Sequence, residues 1–390
     1  MNYTKKYLAP VLGFFFSLIA LLTSYSPVFA VENSDTETEK FNAGEMIMEH
    51  IGDAYEWHIF TIGDKHISIP LPVILINNGK LDVFLSSKFN HGQSSYKGYK
   101  IETQGEKKGK IVKVKEDGIT TDENAGKIWN LSITKNVFAI FISIALLCVM
   151  LISVANIYQK QGIKAPRGFQ SIIEIIILFV RDDIAIPAIG KEKYQKFLPY
   201  LLTLFFFIFF TNLLGLIPFF PGGANVTGNI SVTMALALFT FLITNFNGNK
   251  HYWKDIFNAP GIPIFLKIPP IMPIVELAGM ITKPFVLMIR LFANITAGHI
   301  VILGFVALIF ILGGDNPTVG YAVSGGSIIF MIFMTLLELL VAFIQAYVFT
   351  LLSALYFGMA IEEEKPEHKQ IIENKTNIEF SPENTGNIIN

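Results

Sequence analysis

From Phe197 to Asn249 the chain carries no formally charged residue, and residues 136 to 159 are likewise uncharged. Runs of this length and apolarity restrict the fold more than any other feature. In hydrocarbon every backbone amide must find its partner within the protein, which leaves helices or a closed barrel as the spanning solutions. Composition agrees, since 52% of the 390 residues are hydrophobic, 16% are charged and 35 are phenylalanine. Such usage is too apolar for an ordinary soluble domain. The net charge of −1 offers no basic excess for nucleic acid, and one cysteine, Cys148, excludes an internal disulfide framework.

The chain divides into four parts. Lys5 and Lys6 precede the apolar YLAPVLGFFFSLIALL, and Val28-Phe29-Ala30 offers a small-residue cleavage site, so residues 1–30 read as a signal peptide. The alternative is an uncleaved first helix; either way the segment that follows is exported. Residues 31–130 are polar, lysine-rich and glycine-punctuated, with short β-like runs, and Asn78-Gly79 between two apolar stretches predicts a hairpin. A small β-rich extracytoplasmic domain is expected there. His50, His58 and His66 recur every eight residues, but no cysteine or tight histidine pair accompanies them as a metal site would require. Residues 131–361 hold the membrane helices, and residues 362–390 form a charged, polar cytoplasmic tail.

Five crossings are predicted. Residues 136 to 159 form the first, followed by Lys160, Lys164 and Arg167, which place its far end in the cytoplasm. FQSIIEIIILFVRDDIAIP, 169 to 187, carries Glu174, Arg181, Asp182 and Asp183 and suits an amphipathic helix on the cytoplasmic interface better than a span. Residues 197–249 supply a membrane hairpin turning at PGGANVTGN, 221 to 229, with lysines flanking its cytoplasmic ends and none in the turn. A long helix from about Pro270 to Leu312, a Gly/Asp/Asn/Pro-rich turn over 313–326 and a last helix to Ile361 complete the set.

The last two helices contain the polar residues that point to function. At 100° per residue, Glu276, Lys283, Arg290 and Asn294 fall within roughly 80° of one another, beside the small residues Ala293, Ala297 and Gly304. A charge flanked by small residues fits a face that meets a partner helix. His299 lies about 180° around and roughly 13 Å along from Arg290, while Glu338 and Gln345 share one face of the last helix. If the two helices run antiparallel, Arg290 falls level with Gln345 and His299 with Glu338. Histidine and glutamate can exchange protons, whereas arginine acts only as a fixed charge. Ionisable residues at membrane depth mark ion or substrate paths. Asn294 and Gln345 equally fit plain interhelical hydrogen bonds, and Glu276 and Lys283 fit snorkelling or paired residues.

KPFVLMIRLFANITAGHIVI together with LLELLVAFIQAYVFTLL resembles subunit a of F-type ATP synthases, as do PIMPIVELAGMITKPF and TNLLGLIP. The resemblance covers about residues 130 to 362; the signal peptide and the exported domain lie outside the common pattern. It implies an all-α polytopic membrane protein, in the bacterial inner membrane with its N-terminus outside, whose last two helices face the c-ring. It implies that Arg290 opposes the c-ring carboxylate, with Asn294 and Gln345 assisting. His299 and Glu338 match the imidazole and acid positions of the extracytoplasmic half-channel, and Glu276 an acidic position of the cytoplasmic one. The implied partners are the c-ring, the subunit b stalk, the remaining synthase subunits and lipid, with no cofactor or metal and no nucleotide-binding or catalytic role of its own.

Overall fold

The computed structural model describes residues 42–363 apart from 63–64, 104, 106, 116–117, 119, 123–125, 162–164, 218–219, 259–270 and 314–316. The expected signal peptide and nearly all of the polar tail lie outside these residues.

The segment before the membrane helices opens with helix α1 (Ala43–Ile51), whose N-cap Asn42 accepts from the Glu45 amide. Strands β1 (Glu56–Ile62) and β2 (Lys65–Pro70) pair antiparallel. Strand β3 (Pro72–Asn77) pairs with β4 (Lys80–Leu85) across the Asn78-Gly79 turn, where both residues take positive φ, 50° and 77°. That is the left-handed geometry asparagine and glycine tolerate, and the hairpin lies where the sequence puts it. Two short strands, β5 (Tyr99–Ile101) and β6 (Ile111–Lys113), form a further pair, and β7 (Trp129–Asn130) adds to the free edge of β3. Val73, Leu75, Phe89, Tyr99 and Ile111 make a small core of their own.

This domain is fastened to the first membrane helix, α2 (Lys135–Gln161). The Lys135 amide donates to the Ala54 carbonyl at 2.8 Å, and the Asn136 amide to Asp53 Oδ1 at 3.0 Å. Asp53 thereby satisfies an orphan donor in the first turn of α2. Burial holds its carboxyl above the ordinary carboxylate range, against the opposing pull of the Asn136 amide. Trp57, 3% exposed, meets Phe138 and Phe220 edge-on at ring separations of 5.9 and 5.4 Å and joins the membrane core.

Helix α3 (Phe169–Phe179) continues through a π-helical turn, Val180–Ala185, into α4 (Ile186–Ile189). Asp182 and Asp183 are exposed on it together with the apolar Phe169, Ile172 and Ile175, while Ile173, Val180, Ile184 and Ala185 are buried. Helices α5 (Tyr194–Gly215) and α6 (Ile230–Phe246) form the hairpin, and α7 (Lys250–Asn258) turns away from α6 by 103°. The long helices α8 (Ile271–Gly313) and α9 (Pro317–Ile361) pack against one another. On length and apolarity α2, α5, α8 and α9 can each cross a bilayer among the described residues, and the bent pair α6–α7 adds a fifth.

The turn expected over 313–326 is shorter than its composition implied. Helix α8 runs to Gly313 and α9 already begins at Pro317. Proline at a first helical position loses no bond, because its amide would have been an orphan. Gly320 lies within α9, at a point where the helix ends approach so closely that a Cβ would sit 2.9 Å from the Gly313 Cα. Hydroxyls tie three helices together inside the core: Tyr200 Oη meets Thr240 Oγ1 at 2.9 Å, and Thr240 meets Ser353 Oγ at 3.3 Å. The end of α9 is held as well, with the Asn249 amide donating to the Ala360 carbonyl and Asn249 Nδ2 to the Ile361 carbonyl.

Candidate functional site

Four side-by-side pairs fix the register of α8 and α9. Gly313 faces Gly320, Phe305 stacks on Phe330 at 5.3 Å, His299 Nδ1 lies 3.3 Å from Glu338 Oε1, and Lys283 Nζ stands 5.8 Å over the Tyr356 ring. As numbers fall along one helix they rise along the other, so the pair is antiparallel. Arg290 lies midway between His299 and Lys283, hence level with the stretch midway between Glu338 and Tyr356, which holds Gln345.

The polar residues separate into two environments. Glu276, Lys283, Arg290 and Asn294 are all exposed, along the stripe the helical period predicts. Among the described residues none supplies Arg290 with a carboxylate, and no hydrogen bond joins it to Asn294 or Gln345. Gln345, 6% exposed, and Glu338, 5% exposed, are buried, and His299 is half-buried. The structure therefore joins His299 to Glu338, places Gln345 at the level of Arg290, and leaves Arg290 facing outward.

The His299–Glu338 approach has ion-pair distance without hydrogen-bond alignment, so both Glu338 oxygens keep unused acceptor capacity. Gly298 makes this proximity possible, because a Cβ there would meet Glu338 Oε1 at 2.9 Å. The other imidazole nitrogen, Nε2, points at the end of α5, where a Cβ on Gly215 would stand 3.7 Å away. Beyond Gly215 lies a polar cluster that sequence reasoning did not single out. Thr227 Oγ1 donates to Asn212 Oδ1, and among the described residues the buried Nδ2 groups of Asn212 and Asn225 have no partner. The one sequence signal was asparagine and threonine inside TNLLGLIP and PGGANVTGN, within an otherwise uncharged run. Thr296, one turn before His299, also has a buried hydroxyl with no partner among the described residues. Unused donors and acceptors in an apolar bundle are costly, and their clustering beside a titratable pair suits proton exchange through transient hydrogen bonds.

A second, largely apolar pocket lies near the opposite end of the bundle, with Phe241, Met280, Pro284 and Met359 in its wall beside polar residues. Thr240, Thr244, Asn245, Tyr252, Lys283 and Tyr356 line it. Asn245 Oδ1 accepts from Tyr252 Oη at 3.3 Å. Glu276 lies two turns before Lys283 on α8.

Comparison with known proteins shows which family the chain resembles. The family model described as ATP synthase A chain matches residues 137–358, and a model described as a domain of unknown function matches residues 46–132. The chain is 43% identical over 246 residues to the ATP synthase subunit a of Chloroherpeton thalassium, covering 60% of this chain and 68% of that protein. It is 46% identical over 238 residues to the ATP synthase subunit a 2 of Chlorobaculum tepidum, covering 60% of this chain and 64% of that one. For the ATP synthase subunit a of Myxococcus xanthus the identity is 44% over 242 residues, covering 60% and 74%. With more than half its length matched by the family model, the chain belongs to the ATP synthase A chain family, the membrane-embedded subunit a of F-type ATP synthases.

Proposed function

We propose that this chain conducts protons through two offset half-channels that meet at a rotating ring of small subunits, with Arg290 between them. The observation that carries the reading is the outward-facing Arg290, which has no carboxylate partner among the described residues and stands between the His299–Glu338 pair and the Lys283 pocket. A guanidinium at membrane depth is stabilised only when something solvates it, and an acid on a neighbouring rotor would do so.

The chemistry follows from the residue types. Protons from outside pass Glu338 and His299 to a ring carboxylate, which becomes neutral and can rotate through lipid. They leave by the pocket near Lys283 toward Glu276, and the emptied carboxylate returns past Arg290 ionised. Each proton contributes about 2.3 kcal/mol per 100 mV. Arg290 cannot release its own proton, so it blocks direct passage between the two clefts while attracting the returning acid. Gln345 and Asn294 are polar neighbours at its level.

Five crossings, with the N-terminus outside and the C-terminus in the cytoplasm of a bacterium, fit this scheme. Lys160, Arg167, Lys191, Lys193, Lys196, Lys250 and Lys254 all fall on one side, whereas 221–229 is uncharged. The exposed apolar face of α8 and α9, which includes Phe285, Ile289, Phe333, Leu336 and Leu340, is the surface offered to the ring. A stalk subunit and the soluble sector complete the assembly. ATP-driven proton pumping in membrane vesicles tests the reading: Arg290→Ala is expected to abolish coupled pumping while ATP hydrolysis by the soluble sector continues. Coupled pumping retained by that variant refutes it.

A further inference from the structure

The domain matched only by a model of unknown function is joined to the membrane helices by contacts that converge beside His299. Trp57, on β1, is 3% exposed and belongs to the membrane core rather than to the core of its own domain. Its ring meets Phe138 on α2 at 5.9 Å and Phe220, in the turn between α5 and α6, at 5.4 Å, both edge-on. Just before it in the chain, helix α1 packs against α8, the helix that carries His299. The stretch between is tied to the start of α2, where Lys135 Nζ donates to the His50 carbonyl and the Asn136 amide to Asp53 Oδ1.

The turn that Trp57 touches leads directly to the imidazole. From Phe220 the chain doubles back over the end of α5, with the Gly223 amide donating to the Leu214 carbonyl at 3.3 Å. A Cβ on Gly215 would stand 3.3 Å from the Ala224 carbonyl oxygen and 3.7 Å from His299 Nε2, so the returning turn and the imidazole flank the same glycine. Asn225 and Thr227 follow at once, and Thr227 Oγ1 donates to Asn212 Oδ1. Connecting turns are the segments a helical protein holds least firmly, and edge-on rings around a buried indole fix one without burying a further charge.

We propose that this domain is a clamp on the outer half-channel: Trp57 holds the α5–α6 turn and α1 holds α8, which keeps Asn212, Asn225 and Thr227 beside His299. The proposal rests on the proton-conducting reading of His299 and Glu338. Trp57 is a positioning residue and carries no proton itself. Its effect on conduction passes through Phe220, because proton exchange requires the polar groups to stay within hydrogen-bond reach of the imidazole.

The test uses the intact complex, with passive proton flux in vesicles measured per assembled complex after the soluble sector is removed, and amide exchange followed in the turn. Trp57→Ala is expected to lower flux about tenfold and to quicken exchange across residues 220–229, while the ring and the soluble sector are recovered in the parental amount. Trp57→Phe keeps a ring in the contact and is expected to restore both. Phe220→Ala leaves the domain itself intact and should also lower flux, so it carries the test if Trp57→Ala does not assemble. Combining the two should lower flux no further, because both remove one contact. With Arg290 in place, ATP-driven pumping should slow without leaking, which a generally disordered bundle would not show. Parental flux per complex, parental exchange in the turn, losses that multiply in the double variant, or a proton leak each overturn the proposal. If Arg290→Ala uncouples pumping while Trp57→Ala and Phe220→Ala conduct normally, only this inference fails; if Arg290→Ala pumps normally, the reading beneath it fails.

Discussion

Glu338 shows how much one side chain demands of its surroundings. It is 5% exposed, has no hydrogen bond to either oxygen among the described residues, and meets the ring of His299 at 3.3 Å. A permanently ionised carboxylate there would be expensive, whereas one that is protonated and deprotonated in turn has a reason to be left unbonded. Glu338→Gln keeps the shape and removes the exchange. Passive proton flux through that variant is expected to fall on the order of 10²-fold, with the ring and the soluble sector still recovered alongside it on purification in mild detergent. Flux at the parental rate would remove Glu338 from the path. Arg290, His299 and Glu338 were legible in the sequence as candidates, because Arg, His and Glu in apolar helices stand out against their neighbours. Asn212, Asn225 and Gly298 were not. Their importance depends on the α5–α6 hairpin closing beside α8 and on a missing Cβ opposite Glu338, and neither is a property of local sequence.

Among the elements, the closest approach joins the interfacial helix to the last span. A Cβ at Gly358 would stand 2.0 Å from the Ala188 carbonyl oxygen, so α9 can pass α4 only with glycine at that point. Gly358→Ala is expected to destabilise this contact by about 1–3 kcal/mol, read as a lower thermal midpoint of the detergent-solubilised complex. An unchanged midpoint would mean that the two helices separate freely. Local chemistry announced several elements correctly. Asn78-Gly79 defined the β3–β4 turn, and the uncharged runs at 136–159 and 197–249 fall on α2 and on the α5–α6 pair. It misled at 313–326, where a glycine-rich composition signals a loop in water. Between two closely packed helix ends two of those glycines, Gly313 and Gly320, are what permits contact, while Gly325 and Gly326 face open space within α9. The π-helical turn at Val180–Ala185 and the sharp bend between α6 and α7 left no signal in the periodicity.

On the scale of the whole molecule, a small β-rich domain rides on a helical bundle, joined through α1, Asp53, Trp57 and Lys135. Its docking should depend on pH through His50, whose ordinary value is near 6.5 and whose folded value is lower. The released domain then binds more protons than the docked one in the window between those two values, so docking is full above about 6.5 and weakens as pH falls through the window. Amide exchange in α1 is expected to quicken on acidification across it, and His50→Gln should flatten that response. Asp53, whose folded value is raised, contributes with the opposite sign, so only the difference between parent and variant isolates the histidine. The account as a whole stands on Arg290 meeting an acid that belongs to another subunit. The most direct measurement is the position of its guanidinium in a cryo-electron microscopy structure of the assembled complex. The account predicts that it faces a ring carboxylate, directly or through one water, with His299 and Glu338 on the outer side of that contact. A guanidinium turned to lipid, or paired within its own bundle away from any rotor, would contradict it.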